Sequence, residues 1–344
     1  MKATDREMPV KATDRGVPVR TLKVVASLLL ITLAAGCGSS HDGETVRPVA
    51  ADATAAVPRP VNVQDPAEVP SAAAAPDCNP RASLRPQGTL PKAGAMPAGS
   101  TMATIAANGR LVVGIDQNAY LFGFRDPESG ELVGFEIDMA REMARAIFGD
   151  PNRVQFRAIT TADRIPVLED KQVDMVIRTM TMTCERWQKV LFSTEYIASR
   201  QRLLVRKGDG IEDFADLANK RVCATRGSTS IRTIAAQPSK PIAVSTDSTL
   251  DCLVLLQQHQ VDAVSTIDIL LAGLAAQDPT TEVIGAPVSD EPAGIGIPKG
   301  NEDMVRFVNG VLEKMRADGT WTRVYGKWLA ERLGPADPPA AVYR

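Results

Sequence analysis

Three arginines in the middle of the chain have the side chain that best holds a carboxylate. Arg186 ends the run Thr-Met-Thr-Cys-Glu-Arg (181–186), Arg164 begins the run Arg-Ile-Pro-Val-Leu, and Arg178 follows the apolar run Val-Asp-Met-Val-Ile (173–177). A planar guanidinium offers a carboxylate two parallel hydrogen bonds, which the point charge of a lysine does not. These side chains are therefore candidates for binding an anionic ligand.

A second anion-binding pattern follows the apolar run Arg-Val-Cys-Ala-Thr (221–225). Arg226 comes next, and then Gly-Ser-Thr-Ser (227–230), at the point where a predicted strand ends and a helix begins. The first N–H groups of a helix have no partner inside the helix, and with the helix dipole they attract anions. The same four residues also form an ordinary helix N-cap, so only their position after a strand favours the binding interpretation.

The composition argues against several other kinds of chemistry. The chain has 344 residues, a net charge of -2 and 4% aromatic residues, so we expect neither a basic surface nor a stacking platform for nucleic acid. Two histidines are too few for a His-rich metal site. No catalytic motif accompanies the arginines. These counts argue against an enzyme and predict no metal and no cofactor.

Alternating strand and helix patterns supply the elements that would position these residues. The apolar runs at 111–115, 154–159 and 173–177 predict buried strands. Residues 135–148 have apolar side chains on one face and charged ones on the other, which predicts an amphipathic helix. The alternation begins again near 213–225, and the length favours two structural units. The pattern predicts an α/β fold with mainly parallel sheets.

The first 36 residues have the pattern of an export signal. The apolar run at 24–35 follows basic residues and is about a dozen residues long, whereas spanning a bilayer takes about 20. Cys37 follows Gly36, and the junction resembles a bacterial lipobox. We predict a lipoprotein signal peptide at 1–36, lipidation of Cys37 and an anchor on the extracytoplasmic face of the cell membrane. The alternative is an ordinary cleaved signal with an incidental cysteine.

Residues 37–106 are predicted to form a Pro/Ala-rich tether. Ten of the 24 prolines lie between 38 and 97, and runs such as Ser-Ala-Ala-Ala-Ala-Pro (71–76) have no helical or strand periodicity. Such a composition buries too little apolar surface to offset the entropy lost on ordering. We therefore expect an extended or disordered spacer that holds the folded part away from the membrane.

Seven segments, taken in order, resemble the amino-acid-binding solute receptors of ABC importers. They are LVVGID (111–116), GELVGFEIDMAREMA (130–144), RIPVLEDKQVDMVI (164–177), TMTMTCERWQKVLFSTEY (179–196), DLANKRVCATRGSTS (216–230), QVDAVSTIDILLAG (260–273) and ADGTWTRVYGKWL (317–329). The resemblance implies the type II periplasmic-binding-protein fold, whose two hinged lobes close on a ligand. It implies a lobe 1 of residues 107–197 plus 293–332, a lobe 2 of residues 198–292, and a C-terminal tail of residues 333–344.

The resemblance also assigns the contacts to the ligand's α-carboxylate. In the family a Thr-x-Thr-x-Glu-Arg pattern carries the arginine that holds this group. Arg186 occupies that position here, with Thr181 and the backbone near Thr179 as helpers. Family members add backbone N–H groups from a Gly-Ser/Thr turn of the second lobe. The matching residues are Gly227, Ser228 and Thr229.

The partner of the ligand's ammonium group stays open between two aspartates. The family places an Asp just after the strand that reads Val-Asp-Ala-Val-Ser-Thr here. This chain has Ile267 at the most frequent position, and Asp268 comes next. Asp116, at the end of the first predicted strand, is the other candidate.

The side-chain contacts implied by the resemblance favour an acidic amino acid. Arg164 matches the arginine that meets the side-chain carboxylate in receptors for acidic amino acids, and Arg178 and Arg226 could add positive charge. Tyr120 lies in the loop that usually carries an aromatic lid. Glutamine also fits, because an amide oxygen accepts hydrogen bonds from arginine.

Lipidation of Cys37 would leave four cysteines, and an even number in an exported chain indicates disulfides. Four cysteines allow three connectivities. We predict Cys223–Cys252, within the expected lobe 2, and Cys78–Cys184, which would pin the spacer to lobe 1. Similarly placed cysteines occur in the actinobacterial glutamine- and glutamate-binding lipoproteins, which this chain resembles.

The function implied by the resemblance is that of a monomeric receptor that captures glutamate or aspartate, or glutamine, and delivers it to an ABC permease. A related alternative is a sensor that reports amino-acid levels to a membrane partner. Two further alternatives are an enzyme on the same fold and a purely structural envelope lipoprotein. The structural alternative would leave Arg164 and Arg186 without a role.

Overall fold

A computed structural model describes residues 57–71, 74 and 76–344. The predicted signal peptide, the predicted lipidation site Cys37 and the beginning of the predicted tether lie outside these described residues. Within the described ranges, no helix is both long and apolar enough to cross a bilayer.

Strands and mostly short helices alternate along the described chain. The strands are β1 (Leu111–Ile115), β2 (Asn118–Ala119), β3 (Gly123–Arg125), β4 (Leu132–Val133), β5 (Val154–Ala158), β6 (Met175–Val176), β7 (Val190–Phe192), β8 (Arg200–Arg206), β9 (Arg221–Thr225), β10 (Ile242–Thr246), β11 (Ala263–Ile267), β12 (Thr281–Asp290) and β13 (Gly296–Pro298). The α-helices are α1 (Thr101–Ala107), α2 (Phe135–Phe148), α3 (Pro166–Glu169), α4 (Cys184–Trp187), α5 (Thr229–Ala235), α6 (Thr249–Gln257), α7 (Asp268–Gln277), α8 (Glu302–Ala317), α9 (Thr320–Trp328) and α10 (Ala330–Leu333). Two 3-10 turns lie at Ala162–Arg164 and Phe214–Leu217.

The first large sheet belongs to the unit that we call lobe 1. Its strand order is β5-β1-β6-β13-β7. β1 runs parallel to β5 and β6, whereas β13 runs antiparallel to β6 and β7. Because β13 comes from residues 296–298 and the other strands from 111–192, the chain leaves this lobe and later returns to it.

The second large sheet, in the unit that we call lobe 2, is built between those two passages. Its order is β10-β9-β11-β8-β12. β9 runs parallel to β10 and β11, whereas β8 runs antiparallel to β11 and β12. In each large sheet four of the five strands therefore point the same way and one is reversed, β13 in lobe 1 and β8 in lobe 2, so the prediction of mainly parallel sheets is confirmed. The reversed strands β8 and β13 each come directly after one of the two passages between the lobes.

The core of lobe 1 fixes the start of α2, which adjoins the site described below. Phe135, the first residue of α2, is fully buried in an aromatic cluster. Its ring lies 6.1–6.4 Å, centroid to centroid, from those of Phe122, Tyr196, Trp321 and Tyr325. Each such aromatic pair adds about 0.5–1.5 kcal/mol to the stability that burial provides. The N-terminus of α2 is thus held rigidly against α9.

Residues 57–106, which we call the strap, do not form the free spacer that was predicted. On lobe 2 the strap extends the sheet edge: the Gln64 N–H donates to the Ser245 carbonyl and the Ser245 N–H to the Gln64 carbonyl, both at 2.9 Å. The Ala67 N–H donates to the Ala243 carbonyl at 2.7 Å, and Val69 packs on the lobe 2 core.

On lobe 1 the strap is attached just as firmly. Ser83 is fully buried and its hydroxyl donates to the Phe192 carbonyl at 2.7 Å, and Trp187 Nε1 donates to the Pro80 carbonyl at 2.9 Å. The last residues of the strap form most of α1, and the side chains of Met102 and Ile105 are buried in the lobe 1 core. The composition rule failed because it considered the segment alone, whereas Val63, Val69 and Leu90 of the strap pack one by one on surfaces formed by distant residues.

Both predicted disulfides are confirmed. Cys78 is bonded to Cys184 and Cys223 to Cys252, with Cα–Cα distances of 5.8 and 5.6 Å. These distances are typical of disulfides. The first bond joins the strap to α4 of lobe 1, and the second joins β9 to α6 within lobe 2.

Candidate ligand-binding site

A small cavity of about 20 Å³ lies between the two lobes. Lobe 1 contributes Asp116, Thr161, Arg164, Arg178, Thr179 and Thr181, and lobe 2 contributes Thr225, Ser228, Thr229, Ser230, Thr249, Thr266, Ile267 and Leu270. A cavity of this size holds about one water molecule. An amino acid can therefore occupy the position only when the lobes move apart, which is the hinge motion expected of such a fold.

The carboxyl ends of the parallel strands place most of these side chains. Asp116 follows β1 directly and Arg178 comes two residues after β6, while Thr225 ends β9 and Thr266 lies near the end of β11. Ligand sites in α/β sheets form at this edge because the loops that follow the strands converge there. Two sheets that face each other with these edges thus create one polar cleft.

Asp116 and Arg178 form the central ion pair of the cleft. Their side chains are 2.7 Å apart and almost completely buried. Arg178 also donates to the Thr161 hydroxyl at 2.6 Å and to the Ile159 carbonyl at 3.0 Å. The structure therefore places Asp116, one of the two candidates for the ammonium partner, in the cleft, but already paired with a cation.

Arg164 is buried with a charge that backbone carbonyls solvate. Its Nε donates to the Thr161 carbonyl at 2.9 Å, and Nη1 donates to the carbonyls of Arg178 and Thr179 at 3.3 and 3.2 Å. Burial, followed by repulsion from Arg186 and Arg178, holds the pKa of Arg164 well below its usual value. Among the described residues, no carboxylate lies within 4 Å of this guanidinium.

Arg186 lies on α4 beside the cavity, where Thr183 caps the helix by accepting from the Arg186 N–H. The Arg186 guanidinium donates to the Thr181 carbonyl at 2.7 Å and, across the cleft, to the Gly227 carbonyl at 3.3 Å. Burial, followed by repulsion from Arg232, lowers its pKa to about 10. Arg186 does not line the 20 Å³ cavity. It lines an adjoining depression of about 400 Å³, and Ser228 lines both.

The predicted Gly-Ser-Thr turn of lobe 2 faces these arginines. Ser228 caps α5 by accepting from the Ile231 N–H. The first turn of that helix lies at the cleft, where Thr229 and Ser230 line the cavity. Thr229 donates to the Glu291 carboxylate at 2.6 Å, and its hydroxyl lies 3.4 Å from that of Thr181 in lobe 1. This turn is thus in contact with lobe 1.

An ion pair also joins the two lobes close to Arg186. Arg232 on α5 lies 2.6 Å from the Glu185 carboxylate on α4. Together with the Arg186–Gly227 hydrogen bond, this pair closes the cleft near the adjoining depression.

Three predicted site residues lie elsewhere. Asp268 accepts from the N–H groups of Arg200 and Ile269 and lines a separate depression behind the passages between the lobes. Arg226 pairs with Asp247 at 3.1 Å and lines the 400 Å³ depression. Tyr120 does not line the cavity, and its ring packs edge-on against Phe124 at 5.3 Å.

The sequence analysis missed three buried residues near the cleft, Glu136, Tyr196 and Glu291. Glu136 at the start of α2 accepts from the Thr179 N–H at 2.6 Å and from the Tyr196 hydroxyl. Burial raises the pKa of Glu136 to about 7 despite those hydrogen bonds. Glu291, beside the second passage, holds Thr229. The sequence signal that could have found Glu136 is a carboxylate on the apolar face of an amphipathic helix.

Thr179 has an unusual backbone conformation. Its φ is +41°, in a region that β-branched residues seldom adopt. Such conformations cost on the order of 1–3 kcal/mol and persist only where the surroundings impose them. Strain of this kind is frequent at ligand-binding sites.

Sequence comparison decides the family. The sequence profile of the bacterial extracellular solute-binding proteins, family 3, matches residues 111–331, which include both lobes. The chain belongs to this family. The match confirms the resemblance drawn from the sequence motifs, and the members of this family bind solutes.

Two relatives and one solved structure illustrate the likeness to other family 3 proteins. The ABC transporter glutamine-binding protein GlnH of Bacillus subtilis is 35% identical, over 67% of this chain and 85% of the relative. The glutamate-binding protein GluB of Corynebacterium glutamicum is 30% identical, over 66% of this chain and 79% of the relative. The crystal structure of the solute receptor for L-cysteine of Neisseria gonorrhoeae has a TM-score of 0.65 at 26% identity, covering 68% of this chain and 96% of that one.

Proposed function

We propose that this family 3 protein captures an acidic amino acid, glutamate or aspartate, between its lobes and delivers it to an ABC importer. The observation that carries the proposal is Arg164, a buried cation in the cleft that donates to backbone carbonyls and has no described carboxylate within 4 Å. A buried charge without a counter-ion is costly. A ligand carboxylate supplies that counter-ion.

The charges of the cleft match those of a dicarboxylic amino acid. Arg164 and Arg186 are both buried and donate only to backbone carbonyls among the described residues. Arg178 is neutralised by Asp116. Two guanidinium groups that donate to carbonyls and not to carboxylates suit the two carboxylates of such a ligand, and Asp116, which lines the cavity, is the candidate partner for its ammonium group. Glutamine supplies one carboxylate and one amide oxygen, and we expect it to bind more weakly.

The proposed location is the extracytoplasmic face of the membrane, with a lipid anchor at Cys37. Two disulfides support an oxidising compartment, because such bonds form and persist outside the cytosol. The family name, extracellular solute-binding proteins, agrees with that location. Replacement of Cys37 by Ser is expected to move the protein from the membrane fraction to the soluble fraction.

Calorimetry of the purified protein with glutamate, aspartate, glutamine and lysine tests the ligand. We expect glutamate or aspartate to bind most tightly, and Arg164→Gln to weaken that binding about ten- to hundredfold, since a hydrogen bond to a charged group contributes about 1.5–3 kcal/mol. Arg206→Gln is the matched control, because Arg206 also donates to two backbone carbonyls, those of Leu256 and Val261, but lines neither the cavity nor the adjoining depression. Preference for lysine, or equal losses in both variants, would contradict the proposal.

Uptake of labelled glutamate by cells tests the delivery step. Deletion of the protein should abolish high-affinity uptake, and Arg164→Gln should not restore it. Normal uptake in the deletion strain, together with a changed cytosolic response to external glutamate, would contradict the role in import and favour the role of a sensor.

A further inference from the structure

Glu136 lies behind the wall of the ligand cavity and does not line it. It is the second residue of α2 and is 1% exposed. A carboxylate at this position benefits from the positive end of the helix dipole. Any effect of Glu136 on a bound ligand must therefore be transmitted by a residue that does line the cavity.

That residue is Thr179. The Glu136 carboxylate accepts from the Thr179 N–H at 2.6 Å. The Tyr196 hydroxyl donates to the same carboxylate and accepts from the Thr179 N–H at 3.1 Å. The strained φ of +41° at Thr179 is thus imposed where a buried acid and a buried phenol hold its N–H group. Without these acceptors the residue has no visible reason to keep that conformation.

The conformation of Thr179 in turn determines where Arg164 can donate. The peptide carbonyls of Arg178 and Thr179, on the two sides of the strained bond, both accept from Nη1 of Arg164. Relaxing φ at Thr179 rotates the peptide between these residues, whose carbonyl belongs to Arg178. The guanidinium would then lose an acceptor that fixes its orientation toward the cavity.

We propose that Glu136 is a positioning residue, which holds Thr179 in its strained conformation and thereby aims Arg164 at the ligand. The proposal rests on the proposed function, because it assumes that Arg164 meets a ligand carboxylate. The charged or titratable groups that interact with Glu136 are Tyr196, Asp116, Arg178 and Arg164. The carboxylate therefore belongs to the same electrostatic network as the cleft.

A double-mutant cycle, measured as glutamate affinity by calorimetry, tests this role. Glu136→Leu is expected to weaken binding at least about tenfold in the wild-type background, the equivalent of one charge-assisted hydrogen bond. In the Arg164→Gln background the same change is expected to have almost no further effect. Glu136→Gln keeps an acceptor for the Thr179 N–H and should retain most of the affinity.

A general structural role for Glu136 would give a different result. It would lower the affinity by the same factor in both backgrounds, which would overturn the proposal. Asp174→Leu is the matched control, because Asp174 also accepts a backbone N–H, from Val112, but does not line the cavity. If Glu136→Leu does not fold, the cycle is run with Tyr196→Phe, which removes only the hydroxyl that donates to Glu136.

The two proposals fail separately. If Arg164→Gln leaves glutamate affinity unchanged, the proposed function loses its main support. If Arg164→Gln weakens binding but Glu136→Leu and Tyr196→Phe do not, or if their effects simply add to it, only the positioning role of Glu136 is refuted.

Discussion

The Cys78–Cys184 disulfide should stabilise the protein more than the Cys223–Cys252 disulfide. The two bonds close loops of very different length, with sequence separations of 106 and 29 residues. A cross-link removes conformational entropy from the unfolded chain, and the effect grows with the logarithm of the loop length. From this relation, loss of the bond costs about 4.8 kcal/mol for the loop of 106 residues and about 3.6 kcal/mol for that of 29.

The experiment compares two double variants, Cys78→Ala/Cys184→Ala and Cys223→Ala/Cys252→Ala, in urea denaturation. Tryptophan fluorescence is a suitable signal, because Trp187 lies on the same helix as Cys184. We expect the free energy of unfolding to fall in both variants, with the larger loss in the first. Alanine is preferred to serine because Cys223 and Cys252 are fully buried and a hydroxyl would need a partner there.

Hydrogen exchange separates this entropic effect from a loss of native contacts. The hydrogen bonds of the strap to lobe 1, among them those of Ser83 with Phe192 and Asn309, do not involve the disulfide, and we expect them to persist when it is removed. Strap amides near residue 83 should therefore stay protected in the Cys78→Ala/Cys184→Ala variant. Fast exchange there, or a smaller loss of stability than in the lobe 2 variant, would refute the reasoning from loop length.

Two further predictions concern contacts across the cleft. Both side chains of the Arg232–Glu185 pair are about a quarter exposed, and such pairs contribute about 0.5–1 kcal/mol. Arg232→Gln should therefore weaken ligand binding about two- to fivefold. Additive losses in a calorimetric double-mutant cycle with Glu185→Gln would contradict this. Gly227 has a φ of +74°, and an added Cβ would lie 3.0 Å from the Ala162 Cα in lobe 1. Gly227→Ala should therefore weaken ligand binding tenfold or more, because the added methyl group hinders closure of the lobes. A left-handed alanine separately lowers the stability of the fold by roughly 1–2 kcal/mol. Unchanged affinity would show that closure does not need this contact.

Local patterns predicted the elements of the two lobes well. The amphipathic pattern at 135–148 coincides with α2, and the apolar runs at 111–115 and 221–225 coincide with β1 and β9. The run at 173–177 became a strand of only two residues, β6. Strand pairing is not a local property, and the antiparallel partners of β8 and β13 are supplied by segments that are distant in sequence. The reversed strand in each sheet was therefore not visible in the periodicity.

The strap was missed for a related physical reason. Periodicity detects elements that bury one regular face, whereas Val63, Val69 and Leu90 are each partly buried against a different core cluster. The cysteine count did indicate the strap, because a bond between Cys78 and Cys184 required residues near 78 to lie on lobe 1. Long-range covalent information thus succeeded where composition failed.

The failure at Asp268 bears directly on the ligand. Ile267 lines the cavity, whereas Asp268, the first residue of α7, lines a different depression. Ile267 ends β11 and Asp268 comes next, and successive side chains of an extended chain point to opposite sides, so a shift of one position turns the carboxylate away from the cavity. Asp116 of lobe 1 is the carboxylate that lines the cavity among the described residues, and it is already bonded to Arg178. A ligand that shares Asp116 leaves Arg178 partly uncompensated, and a second carboxylate on the ligand restores the balance. The misplaced aspartate therefore strengthens the argument for glutamate or aspartate.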